Sequence, residues 1–156
     1  VDDVLVTQLS DAARAALRRE TLGVVFQQFN LVPSLTVGDN LAFQARIAGR
    51  FDAAWRDELI GRLGLAGLED RYPEQLSGGE QQRVAIAKAI AHRPSLWLAD
   101  EPTAELDTQM SAHIIGVFRE IVRKEGITIC MTTHDPTILE VADHVFEMVD
   151  GRFVTT

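Results

Sequence analysis

Four short stretches carry residue types that could do chemistry together. The first is Leu76-Ser77-Gly78-Gly79-Glu80-Gln81-Gln82-Arg83, which runs directly into the apolar stretch Val84 to Ala91. Two glycines let backbone amides approach a ligand closely, and a serine hydroxyl adds a donor at the start of a helix. The positive end of that helix suits a phosphate. A serine-glycine helix start without any ligand has the same local sequence, so this motif decides nothing alone. The second stretch is Leu96-Trp97-Leu98-Ala99-Asp100-Glu101-Pro102-Thr103. Four apolar residues read as a buried strand, and two carboxylates follow where ligands bind in open α/β folds. Phosphoryl transfer needs a metal to neutralise charge and a base to orient water, and Asp100 and Glu101 could divide those roles. A solvated acidic turn is the plain alternative.

The third stretch is Thr132-Thr133-His134-Asp135, after the apolar run Ile127 to Met131. A histidine at a strand's C-terminal end could donate a hydrogen bond to a terminal phosphate, although surface and helix-capping histidines share this setting. The fourth is Gln27, after Val24-Val25-Phe26, where an amide could sense a metal-bound water or simply be solvated.

Positioning these groups requires strands that end at one edge. Strand candidates are Leu22 to Phe26, Leu96 to Ala99, Ile127 to Met131 and His144 to Val149, with a short last strand after Gly151. None shows a two-residue hairpin signal, as expected for helical crossovers, so the fold class is α/β with a largely parallel sheet. Thr36 and Asp39 form a capping-box pattern that opens a helix, and Asp52 caps a second one whose Trp55, Leu59 and Leu63 recur at four-residue spacing. Between Asp107 and Glu125, Met110, Ile114, Val117 and Ile121 follow helical spacing, and Gly126 supplies the stop. Three regions result: core residues 1–30, a helical insert over 31–75, and core again over 76–156.

Composition bounds the reading. A chain of 156 residues, 46% hydrophobic and 24% charged, is large enough to bury a core. No run approaches the roughly 18 to 20 apolar residues that cross a bilayer, and Val1 to Val6 lacks the basic start of a signal peptide. The single cysteine, Cys130, lies in an apolar run and is expected to be a buried thiol. A net charge of -8 argues against a broad grip on nucleic acid, so none is expected as partner.

The order Gln27, helical insert, Leu76 to Arg83, Asp100-Glu101, Leu106-Asp107 and His134 resembles the ATP-binding-cassette (ABC) ATPases over essentially the whole chain. The resemblance implies a P-loop NTPase-like core that uses ATP and Mg²⁺. It makes Gln27 the Q-loop glutamine near the metal and Ser77, Gly78, Gly79 and Glu80 part of the nucleotide-binding signature. Asp100 becomes the Walker B metal carboxylate, Glu101 the general base, Asp107 a D-loop residue at the dimer interface, and His134 the γ-phosphate switch. It also implies a second ATPase subunit, transmembrane permease partners, and a cytoplasmic location on the inner face of the membrane. Phe26 to Asn40 is similar to the lipoprotein-release and macrolide-exporter branch.

Glu80 stands where many of those proteins have glutamine, and Lys88 where arginine is frequent. A larger departure is the Walker A pattern, Gly-x-x-x-x-Gly-Lys-Ser/Thr, which the sequence lacks: its only lysines, Lys88 and Lys124, follow no such glycine frame. The family places that loop upstream of Val1. The expectation is therefore an N-terminally truncated fragment, inactive by itself and short of a sheet strand, which opposes independent folding. A non-catalytic module and a cell-division type ABC ATPase are the alternative readings.

Overall fold

The computed structural model describes residues 5–154. Its helices begin where short polar side chains can accept from orphan amides. Ser10 caps α1 (Asp11–Glu20), Thr36 caps α2 (Val37–Ile47) and Asp52 caps α3 (Ala53–Arg62). Ser77 caps α4 (Gly78–Ile90) and Asp107 caps α5 (Thr108–Glu125) in the same way. At the far end of α5, Gly126 takes φ 67°, the left-handed conformation that terminates a helix. The Thr36 cap is only half of the box expected from sequence. Thr36 Oγ1 accepts from the Asp39 amide at 3.2 Å, but the Asp39 carboxylate reaches the hydroxyl at 3.4 Å rather than the Thr36 amide.

Strands β1 (Leu22–Val25), β2 (Leu96–Asp100) and β3 (Thr128–Thr132) form a parallel sheet in the order β1-β2-β3. Val25 lies opposite Ala99, and Asp100 opposite Thr132, so all three strands finish at one edge. The architecture is the α/β fold expected from the sequence. One sheet face is buried through Gly23, Val25, Trp97 and Ala99. Helix α4 presses on it so closely that a Cβ at Gly23 would stand 2.2 Å from the Ala89 carbonyl oxygen. Phe118 of α5 meets Trp97 edge-on at 4.5 Å. Trp55 of α3 donates from Nε1 to the Ile90 carbonyl at 3.3 Å and is buried with Leu41, Leu59 and Leu63. These residues and the sheet's inner face belong to one hydrophobic cluster.

The structure corrects three expectations. Cys130 is exposed, because the even-numbered residues of β3 point away from the buried face. The strand expected over His144 to Val149 shrinks to β4 (Met148–Val149), which pairs antiparallel with β5 (Arg152–Phe153) in a separate sheet. Asp150 and Gly151 link them with φ values of 50° and 75°, as a two-residue primed turn requires. Asp-Gly was thus a hairpin signal after all. Helix α1, which has no buried residue, was not anticipated. A short α6 (Pro136–Leu139) follows β3.

Gly23→Ala tests the α4 contact. The added methyl would have to push two backbones apart, and overpacking of this kind costs about 1–3 kcal/mol or more. Urea denaturation should show a correspondingly lower midpoint with an unchanged slope; a variant as stable as the parent would contradict the contact.

Candidate functional site

The end of β2 places two carboxylates differently. Asp100, still within the strand, is exposed and accepts from Thr132 Oγ1 at 2.5 Å across the strand pair. Glu101, one residue on, is half-buried, and its amide donates to the Thr132 carbonyl at 3.1 Å. Its φ is 47°, an uncommon conformation for a residue with a side chain, and more so before a proline. One Glu101 carboxylate oxygen, Oε1, lies 2.7 Å from His134 Nδ1.

The hydrogen bond to Glu101, then that residue's negative charge, hold the His134 imidazole above its ordinary pKa; Asp135 adds a smaller contribution. His134 donates from Nδ1 to the Glu101 carboxylate, and its side chain is otherwise exposed. Gln27 is exposed two residues beyond Val25, which pairs with Ala99, so it lies at the same edge. The structure thereby brings Gln27, Asp100, Glu101 and His134 to the C-terminal edge of one sheet.

At the start of α4, Ser77 and Glu80 form a complete capping box. Ser77 Oγ accepts from the Glu80 amide at 3.3 Å, while Glu80 Oε2 accepts from the Ser77 amide and hydroxyl at 2.7 Å each. Both contacts hold the Glu80 carboxyl below its usual range, the backbone bond most strongly. Gly78 and Gly79, as the first two helical residues, keep amides without intrahelical acceptors. A Cβ at Gly79 would lie 3.3 Å from the Glu105 carbonyl oxygen, so the helix start rests on the turn after Glu101. Asp107 uses Oδ1 to accept from the Met110 amide at 2.9 Å and so holds the start of α5.

Sequence reasoning overlooked Gln82, Asn40 and the role of Thr132. Gln82 is buried and donates from Nε2 to the Pro102 carbonyl at 2.7 Å. Asn40, also buried, accepts from the Val32 amide and donates to the carbonyls of Val32, Leu35 and Thr36. The available signal was a polar residue at helical spacing among apolar ones, since a buried amide must find partners.

No group of three or more potential metal ligands occurs among the described residues. Mg²⁺ in general keeps several waters and takes one or two carboxylates together with substrate phosphates. Asp100, exposed and oriented by Thr132, could supply such a carboxylate. Two surface depressions lie elsewhere, one bordered by Thr36, Arg56 and Asp70, the other by Leu35, Phe43 and Ile47.

Residues 3–104 match the ABC transporter family. The chain belongs to that family. An ABC transporter ATP-binding protein of Mycobacterium tuberculosis is 40% identical over 99% of this chain and 63% of its own length. The macrolide export ATP-binding/permease protein MacB of Syntrophobacter fumaroxidans is 42% identical over 94% of the chain and 21% of its own length. The methionine import ATP-binding protein MetN 2 of Pectobacterium atrosepticum is 41% identical over 99% of the chain and 46% of its own length.

Among solved structures, the dimeric ATP-binding cassette MJ0796 in a post-hydrolysis state with ADP and Pi superposes with a TM-score of 0.90. It is 32% identical, and the match covers 97% of this chain and 68% of that one. The chain thus spans 63% of the length of the Mycobacterium relative. Export and import relatives match this ABC chain about equally well. The likeness therefore marks no direction of transport.

The His134 imidazole provides a direct check. Its bond to Glu101 favours the protonated ring, so that attraction is complete below the ordinary histidine pKa of about 6.5 and is lost as pH rises through the raised value. An NMR titration should place His134 above the ordinary value, and Glu101→Gln should bring it down. A wild-type value at or below the ordinary one would contradict the pair.

Proposed function

We propose that the chain is part of the ATP-hydrolysing subunit of a membrane transporter, of the lipoprotein-release or macrolide-export type. The carrying observation is the Glu101–His134 contact, 2.7 Å long, beside Asp100 at the end of a parallel sheet. Glu101 is the general base: its carboxylate takes the proton of a water directed at the terminal phosphate of ATP. His134, protonated through its contact with Glu101, donates toward that phosphate. Gln27 and Asp100 would hold Mg²⁺ through water. The bound ion supplies charge neutralisation on the phosphates.

Ser77, Gly78, Gly79 and Glu80 face a nucleotide held by a second ATPase subunit, with Asp107 near the interface between the two. The lysines support this division of labour. Lys88 donates to the Asn30 carbonyl at 2.6 Å and Lys124 to Glu58 at 2.9 Å, so each is committed away from a phosphate. The phosphate cradle therefore comes from residues other than these.

A transmembrane permease docks on the segment 31–75, where Phe43 and Ile47 of α2 are exposed beside Leu35. No described helix is long and apolar enough to cross a membrane, which fits a peripheral subunit on the cytoplasmic face. The export assignment rests on the run Phe26 to Asn40.

Two outcomes test this reading. Isolated residues 1–156 should neither bind ATP tightly nor hydrolyse it; calorimetric titration giving micromolar affinity would sink that expectation. In the intact transporter, Glu101→Gln should lower ATP turnover by roughly 10²- to 10⁴-fold, the usual contribution of a general base. Unimpaired turnover would remove Glu101 from the role.

A further inference from the structure

We infer that Gln82 is a positioning residue for hydrolysis, holding the turn that carries Glu101 against the start of α4. The inference rests on the reading of Glu101 as general base. Its physical basis is how the turn over residues 101–106 is held. Glu101 has φ 47° and precedes a proline, a position that sterics drive toward extended backbone. Such a conformation persists only where its surroundings over-determine it.

Three hydrogen bonds do so from three directions. On the sheet side, the Glu101 amide donates to the Thr132 carbonyl at 3.1 Å; within the turn, the Ala104 amide donates to the Glu101 carbonyl at 3.2 Å. From α4, Gln82 Nε2 donates to the Pro102 carbonyl at 2.7 Å. Pro102 is buried and, as a proline, has no amide with which to anchor itself, so its carbonyl is its only backbone handle.

Gln82 is itself only 1% exposed, so neither partner has water to fall back on. A second contact reinforces the link, because the helix start at Gly79 lies against the Glu105 carbonyl and the Leu106 side chain. The segment Ser77 to Gly79 and the carboxylate of Glu101 therefore move as one body. In a two-subunit arrangement they serve different nucleotides, so Gln82 mechanically joins the two sites through a single chain.

Gln82→Met keeps length and apolar volume while removing the donor. In the intact transporter we expect kcat to fall about 10- to 100-fold, the scale of a displaced catalytic group, with KM for ATP within about twofold. Amide hydrogen exchange should accelerate at Ala104 and Leu106, whose turn bonds depend on the tether, while Leu41 and Leu59 stay protected. Unchanged exchange at Ala104 and Leu106, a uniform rise across α2 and α3, or an unchanged kcat each overturns the inference. If Glu101→Gln retains full turnover, the general-base reading fails instead, and the exchange data still report whether Gln82 holds the turn.

Discussion

The close approach of α4 to the sheet at Gly23 is the constraint on which the other contacts depend. With no side chain there, the helix backbone comes near enough for its remaining residues to reach the loops at the sheet's C-terminal edge. Gln82 then reaches Pro102, Lys88 reaches Asn30, and Trp55 from α3 reaches Ile90. A helix standing farther away would leave the buried Gln82 amide and Pro102 carbonyl unpaired in a dry interior, which costs more than their bond contributes. His92, just past the end of α4, belongs to the same seam. It is buried and donates from Nε2 to the Leu22 carbonyl at 3.0 Å, and burial keeps its pKa low and the ring neutral.

What the sequence made legible followed from patterns that a single element can satisfy. The helix starts at Thr36, Asp52 and Ser77 involve side chains and amides three residues apart, so local spacing suffices to find them. The C-terminal ends of β1, β2 and β3 were legible for a related reason: buried parallel strands read as apolar runs ending abruptly in polar residues.

The less legible features depend on what lies across from a residue. Cys130 has the same sequence setting as a buried strand residue, and only the face of β3 on which it stands exposes it. Helix α1 offers alanines and arginines instead of a large apolar stripe, leaving Ser10 as its main mark. The site shows the same division. Asp100, Glu101 and His134 stand out as chemistry, whereas the groups that aim them, Thr132 and Gln82, become visible only through their partners.

The anchoring of the chain around Gln27 limits how that residue can travel. On one side Val25 is fixed in the sheet; on the other the Asn30 carbonyl is held by Lys88, and Asn40 secures the residues from Val32 onward. Gln27 stands two residues after the first anchor and three before the second, so its Cα stays within roughly 7 Å of one and 11 Å of the other at full extension. The segment is thus a short tether fastened at both ends, and any signal it carries must be expressed as a small swing about fixed points.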